Sequence, residues 1–246
     1  MLADLGRRSG EPELLDLEQA GPEAIAACLR DLEWINRWTG AYPVTLRWLD
    51  QLRREAQPAR PLTVVDVGCG GGDMLRRIWG WGRVRGVELR LIGVDLNPHA
   101  IATAAAATPD AAPIRYVTAN VFNFAPDPPA DVVLSALFAH HLDDARLVRF
   151  LRWMEERARV GWLINDLHRH AVPYAIARAG APLLRMHPFV RHDAPLSVAR
   201  AFGRRDWVRL LQAADLAPPV TTVDWQFPFR FAVGRIRRAC RARPRC

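Results

Sequence analysis

The sequence predicts an α/β fold in which a mostly parallel sheet is flanked by helices. Three observations carry that expectation. A β-branched apolar run, Val64 to Val67, leads into a glycine-rich turn and then into a helical stretch from about Asp73. A second apolar run, Leu89 to Leu96, follows at the spacing of a βαβ unit and carries Asp95 near its end. Further runs at Ile114–Thr118, Asp131–Phe138 and Val160–Ile164 alternate with helical patterns.

A chain of 246 residues can bury a sizeable core without metals or disulfides. No apolar run reaches the ~18 residues needed to cross a bilayer, and Met1–Glu11 has no hydrophobic signal region. A soluble, cytoplasmic protein with no stable membrane insertion is expected. Cys28, Cys69, Cys240 and Cys246 form no C-x-x-C pair, so no metal site is expected from them. Cys69 lies where the glycine turn needs a small side chain and reads as a filler.

The net charge of +8 does not imply a nucleic-acid partner. Arg230, Arg235, Arg237, Arg238, Arg241, Arg243 and Arg245 lie in the last stretch of chain, and taking those seven from +8 leaves about +1. Residues 234–246 read as a basic, disordered tail. The chain contains no lysine.

Taken in order, residues 1–20 are polar and are expected to fray. Residues 1–57 form an N-terminal helical segment. One helix begins near Pro22, a break falls between Trp34 and Tyr42, and a second helix runs through Leu46, Leu49 and Leu52. Residues 57–61 are a linker. A helix opens at Asp73, which suits an N-cap, and gives way to a loop over Gly80–Gly86. Asn97 and Pro98 suit the cap and first position of the next helix. Asp143 caps a helix carrying Leu147, Leu151 and Met154 on one face. Ala171–Phe202 is too long and apolar for a plain loop and reads as an inserted helical cap, with Arg191, His192 and Asp193 as a polar anchor on its rim. A last helix over Asp206–Leu216, with Asp206 as its cap, precedes two antiparallel strands, Thr221–Trp225 and Phe229–Val233.

The glycine turn is the chemically informative stretch. Glycines allow close backbone approach, and a helix N-terminus beyond them favours an anion or carboxylate. Dinucleotide enzymes favour G-x-G-x-x-G. Here Asp66, Gly68, Gly70 and Gly72 form D-x-G-x-G-x-G. This pattern resembles motif I of the class I S-adenosylmethionine-dependent methyltransferases. An acid ending the second strand can accept hydrogen bonds from both ribose hydroxyls, and Asp95 follows Gly68 by 27 residues.

The resemblance spans roughly residues 64–233. It implies a Rossmann-like three-layer α/β/α sandwich with a seven-stranded, mostly parallel sheet over residues 58–233, the N-terminal helices and the cap at about 171–202 covering the ligand. S-adenosylmethionine would be the cofactor. Gly68, Gly70 and Gly72 would bring the backbone to its methionine portion, with Asp66 beneath. Asp95 with Leu96 would hold the ribose, and Asn120 with Val121 the adenine. Asn120 stands where the family usually has an acid; its amide oxygen can still accept from an amino group. Ser135, on the fourth strand, completes the cofactor-binding set.

The acceptor would meet the methyl group at the carboxyl ends of the fourth and fifth strands. The fourth ends in His140–His141–Leu142. The fifth ends in Asn165, Asp166, Leu167, His168, Arg169 and His170. Imidazole suits proton removal near neutral pH, so His140, His141 and His168 are the catalytic candidates, expected to gather with His170 around one mouth. Either histidine of the 140–141 pair reads equally as a structural residue. Neighbours in an extended strand end point oppositely, so only one of the two should face the crevice and the pair should not share a metal ion. No proline–tyrosine signature of adenine- or amide-nitrogen methylation follows the fourth strand. The motifs at 140–142, 165–170, 190–193 and 197–202 are similar to bacterial methyltransferases of polyketide, quinone and phenolic-lipid pathways. That similarity implies a small hydroxylated aromatic or lipid-like acceptor, methylated at oxygen, with a ring carbon as the alternative. An NAD(P)-dependent oxidoreductase would want the other glycine spacing and typically a Tyr/Lys pair. A non-catalytic nucleotide-binding protein would not need the polar strand ends.

Overall fold

The computed structural model describes residues 4–17, 20–57 and 61–237. The helices are α1 (Leu14–Leu17), α2 (Pro22–Trp38), α3 (Ala41–Ala56), α4 (Asp73–Arg85), α5 (Pro98–Ala106), α6 (Asp144–Arg157), α7 (Ala171–Leu183), α8 (Pro188–Arg200) and α9 (Arg204–Ala213). The strands are β1 (Leu62–Val67), β2 (Leu89–Asp95), β3 (Ile114–Thr118), β4 (Val132–Ala136), β5 (Gly161–Leu167), β6 (Thr222–Gln226) and β7 (Arg230–Ile236). They form one sheet in the order β3-β2-β1-β4-β5-β7-β6. β1 pairs in parallel with β2 and β4, β3 with β2 and β5 with β4, whereas β7 is antiparallel to β5 and β6. This is the predicted Rossmann-like architecture. The order of strand addition reverses at β1, with β2 and β3 on one side and β4 and β5 on the other, leaving a crevice at the carboxyl ends of β1 and β4.

β1 is buried at every position because it is covered on both faces. One core layer joins Val65, Ile92, Val133 and Ile164 to α6 and α9; the other joins Val64, Leu91 and Leu134 to α3 and α4. At the second layer Tyr42 and Leu49 of α3 meet Leu75 and Ile78 of α4. Burial of such side chains stabilises by roughly 1.5–3 kcal/mol each.

Several local expectations are corrected by tertiary contacts. α2 runs through Trp38, so the break shrinks to Thr39 and Gly40, the latter at φ +69°. α4 continues through the expected loop to Arg85, held by Trp81 and Arg85 on Asp50. Gly72, not Asp73, caps α4. Asp73 is its first residue, and its carboxylate receives Tyr42 Oη at 2.6 Å and Asn36 Nδ2 at 3.2 Å. Gly203 occupies the cap position of α9, with Asp206 reaching back to its N–H at 2.7 Å. Asn97 and Asp143 cap α5 and α6 as read from the sequence.

The N-terminal segment is fastened rather than frayed over its described residues. Asp193 of α8 accepts from the N–H groups of Leu14 and Leu15, so the predicted rim anchor holds α1. Arg8 reaches Asp144 at 2.7 Å and the carbonyl of Leu142 at 2.9 Å. Arg200, buried in α8, donates to the carbonyls of Glu11, His140 and His141. The cap helices and the N-terminal segment are thus tied to the end of β4.

Burial acts to raise the Asp144 carboxyl, but hydrogen bonds from Arg209 and Arg8 outweigh it and hold it below 3.8. A carboxylate depressed in the folded state contributes stability that is full above its unfolded value and is lost as pH falls through the folded one. The stability difference between the protein and Asp144→Asn should therefore be constant above about pH 5 and vanish progressively below about pH 4. Denaturant melts of both proteins across about pH 2–7 check this; a difference that does not shrink as pH falls below about 4 contradicts it.

Strand β7 continues to Ile236, past the expected end at Val233. Arg235 and Arg237 pair with Glu155 at 2.5 and 2.6 Å, so two arginines of the expected tail belong to the fold. The tail from residue 238 onward lies outside the described residues, as do 58–60 of the linker.

Candidate active site

A cavity of about 1390 Å³ opens over the carboxyl ends of the central strands, roofed by α2, α7, α8 and the N-terminal segment. Asp66, Gly68, Gly70, Asp95, Leu96, Asn120, Val121, His140 and His141 all line it. The structure brings these predicted residues together.

The glycine turn forms one wall. A Cβ on Gly68, which has φ +69°, would lie 2.6 Å from the Phe138 ring. Gly70 has φ +49°, and its N–H donates to Asp95 Oδ2 at 2.9 Å. Asp95 Oδ1 accepts from the N–H of Asn97 at 2.9 Å. The acid of β2 therefore stiffens the turn and the start of α5, while each oxygen keeps a further lone pair. Burial raises the Asp95 carboxyl, against hydrogen bonds from the Asn97 and Gly70 backbone.

Asp66 is buried, and its Oδ1 has no hydrogen-bond partner among the described residues. Burial, then the nearby Asp73 and Asp95, push this carboxyl well above its ordinary range. An unpaired buried carboxyl is costly unless a ligand or water completes it. Two other lining residues share the condition: among the described residues Asn36 Oδ1 and Arg230 Nη1 have no partner, and both residues line the cavity. Arg230 is fixed by donation from Nε and Nη2 to Thr39, and burial lowers its guanidinium to about 10. Asn36 and Trp38 line the cavity, whereas Arg37 between them does not.

Other predicted positions stand differently. Asn120 spends its oxygen on the N–H of Phe122 at 3.0 Å, capping a 3₁₀ turn over Val121–Asn123. One lone pair is committed to the backbone; Val121, buried behind it, supplies apolar wall. Gly72 is set back from the cavity under Tyr116, whose hydroxyl lies 2.2 Å from where a Cβ would be. Ser135 is buried, donating to the Val67 carbonyl at 3.1 Å. Neither Gly72 nor Ser135 lines the cavity.

The opposite wall is histidine-rich. His140 and His141 sit in a 3₁₀ turn, Ala139–His141, rather than an extended end. Their rings consequently lie 4.5 Å apart and both face the cavity, correcting the expectation that one would turn away. His140 Nδ1–H donates to Asp166 Oδ1 at 2.7 Å, and His141 Nδ1–H to Asp16 Oδ2 at 2.8 Å. Both Nε2 atoms then carry the free lone pair. Burial acts against ionised Asp166, but His140 and the N–H groups of Leu167 and His140 hold it below its ordinary value. Burial likewise opposes the charge on His141, and the Asp16 hydrogen bond with Glu13 and Asp16 overcomes it, raising the imidazole.

His168 does not join them. β7 runs along the outer flank of β5, so the chain leaving β5 passes under the β6–β7 hairpin. There His168 rests against Phe229, Phe231 and His170, and its Nδ1 accepts from the Trp225 indole at 3.2 Å. His170 caps α7. The expected four-histidine mouth is thus two separate pairs. The sequence reading missed Asp166 as the partner of His140, although the ends of β4 and β5 are neighbours in such a sheet. It also missed Glu13, Asp16 and Arg230 as wall residues; nothing in a polar N-terminal stretch marked the first two.

Residues 64–161 match a family model described as a methyltransferase domain. No curated protein matches the sequence. Among solved structures, the plantazolicin methyltransferase BpumL in complex with SAH aligns over 89% of this chain and 95% of its own, with a TM-score of 0.62 and 13% identity. Magnesium protoporphyrin IX methyltransferase (ChlM) from Synechocystis PCC 6803 with bound SAM aligns over 81% and 79%, with a TM-score of 0.51 and 11% identity. The CMeT domain of citrinin polyketide synthase aligns over 73% of this chain and 48% of that one, with a TM-score of 0.52 and 16% identity. At these identities the likeness is one of fold.

Proposed function

We propose that the chain is a class I S-adenosylmethionine-dependent methyltransferase and that it methylates a hydroxyl of a small aromatic or lipid-like metabolite. The observation that supports this reading most is the facing of two walls across one cavity: the glycine turn with Asp95 on one side, and His140 and His141 on the other.

The residues fit S-adenosylmethionine. Asp66 offers an unpaired buried oxygen, Gly68 and Gly70 bring bare backbone to the cavity wall, and Asp95 retains lone pairs for two ribose hydroxyls. Leu96 and Val121 supply apolar surface for the base, and the remaining Asn120 lone pair can accept from its amino group. When bound, the cofactor supplies a methyl group on a positively charged sulfur.

A hydroxyl is a weak nucleophile until its proton is removed. Asp166 fixes the tautomer of His140 so that the Nε2 lone pair, rather than N–H, is presented to the acceptor. Leu142, Ile176, Leu184 and Met186 line the same space, which suits an apolar acceptor body and excludes water from the reacting groups. No described helix is long and apolar enough to cross a membrane.

The test is a panel of phenolic and hydroxylated lipid acceptors with methyl-labelled cofactor, with titrations of S-adenosylhomocysteine and NAD(P)H alongside. The expected result is S-adenosylhomocysteine binding and label on oxygen. Label on a ring carbon, or no transfer to any hydroxylated compound, overturns the oxygen reading.

A further inference from the structure

The wall that carries the two histidines has a third member. Glu13, buried beside α1, places Oε1 3.7 Å from His140 Nε2 and Oε2 3.8 Å from His141 Nε2. One ligand atom from each residue can be chosen so that all three lie within 4.8 Å of one another. We propose that Glu13, His140 and His141 bind a first-row divalent metal ion of the zinc type, with its remaining coordination positions open to the acceptor side of the cavity.

The donor chemistry points that way. Both imidazoles spend Nδ1 on a carboxylate, Asp166 or Asp16, so each ring turns Nε2 toward the Glu13 carboxylate. A cation held among the three would satisfy all of them at once. The separations of 3.7 and 3.8 Å are too long for hydrogen bonds. They are close to the roughly 3.4 Å between two ligands that each stand about 2.1 Å from a tetrahedral ion. Glu13 is partly answered already: Oε1 accepts from Ser197 Oγ at 2.9 Å and lies 3.8 Å from Arg200 Nε. Oε2 is left facing His141. A histidine whose second nitrogen donates to a carboxylate is the usual supporting arrangement for a metal-bound imidazole, and here both histidines have it.

Two imidazoles and one carboxylate suit Zn²⁺, Co²⁺, Mn²⁺ or Fe²⁺ better than Mg²⁺ or Ca²⁺, which prefer oxygen-only ligand sets. The ion site rests on this geometry alone. With the ion bound, His140 Nε2 would be a ligand rather than the base, and the ion would hold the acceptor oxygen in its ionised form; that use rests on the methyltransferase reading.

Co²⁺ titration of the metal-stripped full chain tests it, with absorption read in the visible region and S-adenosylhomocysteine affinity measured in parallel. The expected result is one Co²⁺ per chain with an intense ligand-field band, competed by Zn²⁺. Glu13→Gln and His141→Ala should each weaken binding at least about 100-fold, and Asp16→Asn about 10–100-fold, all with S-adenosylhomocysteine affinity preserved as proof of folding. Stoichiometric binding that is unchanged in Glu13→Gln and His141→Ala overturns the site, as does no stoichiometric binding in a chain that still binds S-adenosylhomocysteine. Co²⁺ binding without S-adenosylhomocysteine binding keeps the ion site and removes the methyltransferase reading instead.

Discussion

Replacing Asp95 by Ala is expected to weaken S-adenosylhomocysteine binding by about 10²–10⁴-fold, because two hydrogen bonds to a charged acceptor, each worth roughly 1.5–3 kcal/mol, are lost together. The carboxylate also holds the N–H groups of Gly70 and Asn97 at 2.9 Å, so its removal loosens the turn that shapes the methionine side of the cavity. Asp95→Asn keeps one acceptor oxygen and should fall between the two. Calorimetric titration of the three proteins checks the order. Equal affinities would mean that the ribose is held elsewhere, and the placement of the cofactor along β1 and β2 would be wrong.

His140→Ala should leave S-adenosylhomocysteine affinity within about threefold while lowering turnover by about 10²–10⁴, the range for losing the group that receives or directs a proton. Asp166→Asn should lower turnover by less, because the amide can hold the ring in place without stabilising its charge. Both residues are buried, and removing one partner of a buried pair destabilises the fold. Thermal melts must therefore accompany the kinetics, and His140→Gln provides a variant of closer volume. His168→Ala is the internal comparison: packed under the β6–β7 hairpin, it should change stability rather than turnover. If His140→Ala and His140→Gln both turn over normally, the histidine wall is structural.

Much of the glycine-turn wall of the cavity was legible in the chain itself. Asp66, the glycines and Asp95 could be placed because a strand, a turn and a helix N-terminus are local structures, and the chemistry of the turn is written in adjacent residues. Asn97 and Asp143 were legible as caps for the same reason. Gly72 and Ser135 were assigned to the cofactor from the same pattern, yet Tyr116 and the Val67 carbonyl take those places. Side-chain direction at the end of β4 was misread because the chain turns into a 3₁₀ segment there, held by Arg200 donating to the carbonyls of His140 and His141. The pairing of Asp166 with His140 crosses two strands separated by a helix.

The order of apolar runs, glycines and acids along the chain determined the α/β class and the glycine turn with Asp95 beside it, since each depends on contacts within one βαβ unit. Only the tertiary structure decided which polar residues meet across the cavity. Glu13 and Asp16 come from more than a hundred residues before His140 and His141, and His168 follows them by fewer than thirty yet faces elsewhere. Which side chains converge is set by how the sheet is ordered and how the roof folds over it, and those long-range packing choices leave no period or spacing in the local sequence.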